Sequence, residues 1–192
     1  KYKTLPNHVK TKTGEIFHFA EPFETPSLMA ELLAWYKKES HQKDANPIIL
    51  ASAFHYKFVC IHPFDDGNGR IARAISDMLL ARAEKSTDRF YSMSSQILIE
   101  RKQYYEVLQK VQHSDGDITD WLVWFLSCLQ KSLLETSVTI EKILLKAAFW
   151  TTHDSTDFNQ RQRLMLNKLL DGFEGKLMIH VPNCFTLLQF GR

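Results

Sequence analysis

Between Thr25 and Leu170 the apolar residues recur mostly every three or four positions, the spacing of helices with a buried face. Thr25-Pro26 reads as an N-cap followed by Pro at the first helical position. The segment after it carries Leu28, Leu32, Leu33, Trp35 and Tyr36 as its apolar side. Asn46-Pro47 repeats the start signal and opens a helix with Ile48, Ile49, Ala51, Phe54, Phe58, Val59 and Ile61. That helix is apolar over most of its circumference, which predicts a place in the core. Arg70 to Glu84 reads as a further helix, with Ile71, Ile75, Met78, Leu79 and Ala81 as its apolar positions. Met93 to Val111 reads as another, ended by Asp115-Gly116-Asp117. Ile118 to Phe149 predicts one or two long core helices, and Gln160 to Leu170 a last one. Before residue 24 the alternation Glu15-Ile16-Phe17-His18-Phe19, with Val9 and Gly14, predicts a short hairpin or flap over about 8–19. Val, Ile and Thr do not cluster into strands after it, and the run beyond Gly175 has no clear period. The fold class expected is mainly α, a helical bundle with one small β-hairpin near the N-terminus. Residues 1–150 form its main domain (core helices about 25–150), and 151–192 a C-terminal helical tail.

Charge and composition narrow the function classes. Of 192 residues, 44% are hydrophobic and 24% charged, the balance of a globular chain. Lys and Arg number 24 against 22 Asp and Glu, a net charge of +2, so the whole chain lacks the footprint of a nucleic-acid binder. No apolar run approaches the roughly 20 residues that span a bilayer. Cys60, Cys128 and Cys184 are too widely spaced for a disulfide framework or a CxxC metal pair, and no HxxxH or HExxH pair exists. Reduced thiols point to the cytoplasm.

The chemistry is concentrated in His62 to Arg73, HPFDDGNGRIAR. Pro, Asp, Asn and two Gly make its first part a loop. Gly67 and Gly69 allow backbone N–H groups to converge, and the loop feeds a helix N-terminus, whose unpaired N–H groups and dipole favour an anion. Arg70 and Arg73 stand i,i+3 on that helix. Two arginines beside an amide nest favour a polyphosphate over a carboxylate. Asp66 amid phosphates is most simply explained by a shared Mg2+. His62, just before the loop, is a natural general base for an incoming hydroxyl. Each feature alone is ordinary in turns and helix ends. Eight defined positions within twelve are not, with a chance match well below about 10⁻⁶.

HPFDDGNGRIAR resembles the signature of the Fic family, HxFx(D/E)GNGRxxR, at every defined position. Arg101-x-x-Tyr104-Tyr105-x-x-Leu108 with Gly116-Asp117 resembles the family's downstream segment, and Val9 to Phe19 its flap. The start Lys1-Tyr2-Lys3 and a tail that begins like a winged helix look like the larger bacterial Fic proteins of Bacteroides type. The resemblance covers roughly residues 1–150. It implies a protein adenylyltransferase, which transfers AMP from ATP to a Ser, Thr or Tyr hydroxyl of a target protein. Carried over by position, His62 is the base and Asp66 holds Mg2+. Gly67, Asn68 and Gly69 form the anion hole, Arg70 contacts the β-phosphate region and Arg73 the γ-phosphate. Tyr104 or Tyr105 packs on the adenine, unless the pair is simply core, and Gln112 reaches its edge. The target protein docks on the flap. The family's inhibitory helix, [S/T]xxxE[G/N], finds no match, which leaves it upstream of Lys1, on another chain, or absent. The signature also occurs in relatives that remove AMP or transfer another nucleotide such as UMP. A different class, a non-enzymatic DNA-binding or scaffold protein, rests only on the tail with Arg161, Arg163 and Lys168.

Overall fold

The computed structural model describes residues 1–6, 9–10, 16–17, 19–85, 89–172, 177–181 and 184–188. The chain divides into two compact units, Lys1–Leu134 and Glu135–Arg192. The division falls within one continuous helix, Thr119–Thr152.

In the first unit, β1 (Val9–Lys10) pairs antiparallel with β2 (Ile16–Phe17), in the register Val9 to Phe17 and Lys10 to Ile16. The residues between these two short strands, and His18, lie outside the described residues, and so does the course of the expected flap. Helix α1 (Thr25–Ser40) follows. Thr25 is not its cap: Glu24 takes that position, while the wholly buried Thr25 hydroxyl donates to the Glu21 carbonyl at 3.0 Å. Helix α2 (Pro47–Ile61) is capped by Asn46, whose Oδ1 accepts from the N–H groups of Ile48 and Ile49 at 3.0 and 3.3 Å. Eight of its fifteen residues are buried, as a helix apolar on most sides requires. It packs between α1 and α3 (Asn68–Glu84).

The helix expected over 93–111 is two, α4 (Met93–Ile99) and α5 (Arg101–Gln112). The chain turns at Glu100, whose carboxylate is nearly buried and accepts from Lys131 at 3.0 Å and from Gln96. Helix α6 (Thr119–Thr152) is a single helix of 34 residues. Only its first part is core: Trp121, Phe125, Cys128, Leu129 and Ser132 are buried, whereas Leu134, Val138, Ile143, Leu144 and Leu145 are exposed. Trp121, the largest wholly buried side chain, donates its indole N–H to the Ser52 carbonyl at 2.9 Å and so ties α6 to α2.

The second unit holds the rest of α6, helix α7 (Gln160–Leu170), and a strand pair, β3 (Leu177–Val181) with β4 (Cys184–Leu188). Asn159 and Gln162 form a reciprocal capping box at the start of α7. Trp150 donates to Asn167 at 3.1 Å, and Lys146 pairs with Asp171 at 2.8 Å. The strand pair corrects the expectation that β structure ends by residue 24. Neither apolar run alternates, so its pairing partner, and not a period of two, makes it a strand.

Candidate active site

The site grows from the end of α2. His62 is its C-cap, in the left-handed conformation at φ 50° and ψ 60°. A non-glycine residue there costs about 1–2 kcal/mol. Pro63 follows and forbids a further helical turn. Beyond it Asn68 staples the loop: its Oδ1 accepts from the Phe64 N–H at 2.9 Å, and its amide donates to the Phe64 carbonyl at 2.7 Å. The same amide nitrogen lies 3.1 Å from His62 Nδ1. Asn68 is 2% exposed, so its side chain organises the loop and only its backbone N–H remains as a candidate for the anion hole.

Gly67 starts α3 at φ 83°, a conformation that favours glycine. The first intrahelical bond runs from Ile71 N–H to the Gly67 carbonyl, at 2.9 Å. The N–H groups of Asn68, Gly69 and Arg70 therefore have no acceptor within the helix. Both arginines bend back over this end. A Cβ on Gly67 would lie 3.5 Å from Arg70 Nη2, and one on Gly69 would lie 3.5 Å from Arg73 Nη1. Two guanidinium groups and the positive end of a helix thus converge on one cradle, with the charge and donors a polyphosphate needs.

Asp66 accepts from the Gly67 N–H at 2.6 Å and pairs with Arg70 at 3.0 Å. This pair is 72% and 90% exposed, so water screens it and a bound cation or phosphate can displace it. Among the described residues no group of three or more His, Cys, Asp or Glu side chains could enclose a metal. A lone, exposed carboxylate beside a phosphate cradle suits Mg2+, which takes one or two carboxylates and completes its shell with phosphate oxygens and water.

His62 lies under the ring of Phe19, stacked at 3.9 Å between centroids with 13° between planes. Its pKa is pushed down to about 4, mainly by burial, then by the charge of Lys3, with Asp66 opposing. The imidazole is therefore neutral at neutral pH, the form a general base starts from.

The residues expected at an adenine base are less uniform. Tyr104 is 5% exposed, its ring among Trp121, Trp124 and Tyr105, and its hydroxyl lies 3.2 Å from His55 Nε2. It is a core residue, and the expectation that it packs on a ligand is corrected. Tyr105 is half-buried with the Arg101 guanidinium 5.7 Å from its ring. Gln112 donates to Cys60 Sγ at 3.4 Å and lines a pocket of about 290 Å³ with Tyr56, Cys60 and His113.

Two residues of this neighbourhood carry no local signal in the sequence. His55 is wholly buried behind the site; its Nδ1 lies 2.8 Å from Ser76 Oγ and its Nε2 meets Tyr104, joining α2, α3 and α5. Lys3 is 3% exposed and reaches the carbonyls on either side of His62.

Residues 2–80 match the model of the Fic/DOC family. The chain is 33% identical over 115 residues to the protein adenylyltransferase Fic of Drosophila ananassae, and equally to that of Drosophila melanogaster. These alignments cover 58% of this chain and 21% of each relative, so the chain spans about a fifth of the length of the curated relatives it matches. A Fic-domain-containing signaling protein from Bacteroides thetaiotaomicron superposes with a TM-score of 0.58 at 33% identity, over 71% of this chain and 53% of that one. A Fic family protein from Desulfovibrio desulfuricans shares the fold at a TM-score of 0.59 and 23% identity, over 92% of this chain and 47% of its own. The His62–Arg73 loop lies within the matched residues, and over residues 2–80 the chain is similar to the Fic/DOC family.

Proposed function

We propose that the chain transfers AMP from ATP to a hydroxyl side chain of a target protein. The observation that carries this reading is a neutral His62 hydrogen-bonded to the staple of a helix N-terminus over which two arginines fold. The backbone N–H groups of 68–70, Arg70 and Arg73 bind the triphosphate, Arg70 toward the β-phosphate and Arg73 toward the γ-phosphate. Asp66 would hold Mg2+, which when bound offsets phosphate charge. His62 takes the proton of the target hydroxyl as its oxygen bonds to the α-phosphorus, and the bond to pyrophosphate breaks. Tyr105 and Gln112 are the remaining candidates for the adenine, and the segment around Val9 to Phe19 for the target. Such a transfer is catalysed chiefly by positioning and charge stabilisation, which this set of groups supplies. The relatives' name, protein adenylyltransferase, supports the same reaction.

The test is incubation of the chain and a cell lysate with Mg2+ and ATP labelled at the α-phosphate. Label should pass to protein, and His62→Ala should reduce it by about 10²–10⁴-fold while ATP binding persists. Wild-type turnover in His62→Ala would remove the base assignment. Label from UTP and not from ATP, or release of AMP from a modified protein, would redirect the reading to another reaction on this fold.

A further inference from the structure

We infer that Lys3 is a positioning residue that clamps His62 in the orientation the transfer needs, an inference that rests on the function proposed above. The first residues of the chain lie against the end of α2. The Lys3 ammonium donates to the Ile61 carbonyl at 3.3 Å, and the Lys3 backbone N–H donates to the Pro63 carbonyl at 2.9 Å. The two acceptors are the carbonyls of the residues before and after His62, one in the peptide that joins Ile61 to His62 and one in the peptide that follows Pro63. Ile61 ends α2, so its carbonyl lies at the negative end of a helix dipole, where a cation is favoured. A lysine is rarely as covered as this residue, at 3% exposure, and covering its charge is costly unless the ammonium is paired. The bonded pair spans the one residue at the site held left-handed without being glycine, and so holds the strain in place. With the backbone fixed on both sides, the imidazole is confined between Phe19 and the Asn68 amide. The charged groups acting on this region are Lys3 and Asp66 on His62, and Glu21 and Asp65 on Lys3.

A clamp of this kind acts on the reacting geometry and not on nucleotide binding, since the phosphate cradle lies on α3. In Lys3→Met, the maximal rate of self-labelling from α-labelled ATP should fall by about ten- to a hundred-fold, the cost of a small misplacement. The ATP concentration at half-maximal rate should stay within about two-fold. Lys3→Arg keeps charge and donors and should retain most of the rate. The ring ¹⁵N resonances of His62, assigned by their absence in His62→Gln, should move in Lys3→Met and stay in Lys3→Arg. That readout needs no activity, so an inactive wild type would overturn the proposed function and leave the clamp tested. If Lys3→Met does not fold, Lys3→Gln, which keeps a donor without the charge, is read in the same way. Unmoved His62 resonances in a folded variant without the ammonium, or equal losses in Lys3→Met and Lys3→Arg, would overturn the clamp.

Discussion

On the proposed reading, Arg73 and Asp66 are the residues that choose what the cradle holds. Arg73 lies one turn beyond Arg70 and folds over Gly69, whereas Arg70 folds over Gly67. On the proposed reading its charge serves the outer end of a polyphosphate. A hydrogen bond to a charged group contributes roughly 1.5–3 kcal/mol. Arg73→Ala should weaken ATP by about ten- to a hundred-fold and ADP much less, read by calorimetric titration of both nucleotides. Equal losses would mean that Arg73 does not reach the γ-phosphate. Asp66 is a different case. Without a cation it repels phosphates, and it is held by Arg70 and the Gly67 N–H. Asp66→Ala should remove most of the Mg2+ dependence of ATP binding; an unchanged dependence would leave Asp66 as a turn residue.

His55 acts at the scale of elements, since its two ring nitrogens join α2 to α3 and α5 through Ser76 and Tyr104. Burial, aided by the charge of Arg73, pushes its pKa down to about 3. The folded state therefore binds fewer protons than the unfolded chain, whose histidine titrates near 6.5. Its contribution is complete above about pH 6.5 and is lost as the pH falls toward about 3. Between pH 7 and pH 5 the wild type should lose about 2 kcal/mol through this residue. His62, half-buried, adds a smaller loss with the same sign. His55→Phe should lower stability at pH 7 by about 1–3 kcal/mol, because Tyr104 loses its partner, and should flatten the acid slope. Urea midpoints at the two pH values check both statements, and an unaltered slope would show that His55 is not the titrating group.

At the scale of the whole molecule the charge balance bears on the nucleic-acid-binding alternative. The net charge is +2 over 192 residues. Within the second unit, Lys146 pairs with Asp171, and Arg163 lies over Trp150 with its Nε donating to the Phe158 carbonyl. The cations the tail could offer a phosphate backbone are thus partly engaged within it. Duplex DNA at about 0.15 M salt should bind no more tightly than the 10⁻⁴–10⁻⁶ M of non-specific contact. A tight affinity that falls steeply with salt would favour the DNA-binding alternative. No helix among the described residues is long and apolar enough to cross a membrane.

The helices and the loop chemistry are written in local sequence. Asn46-Pro47 starts α2, and the apolar wrap of α2 forecasts its burial. Glycines at 67 and 69, with arginines three apart, announce an anion site because backbone freedom and helix spacing are properties of neighbouring residues. What the chain alone left open depends on residues far apart in sequence. The 93–111 helix divides at Glu100, whose carboxylate meets Lys131 from α6. Tyr104 turns inward because His55 and two tryptophans from other elements surround it. The β3–β4 pair exists because two irregular runs meet each other. Lys3 resembles any surface lysine until folding brings it to the carbonyls around His62, 58 residues from the Ile61 acceptor. A local pattern specifies an element and the chemistry carried on it; only packing decides which side chains lose their water, and burial is the main cause of the lowered pKa of His62.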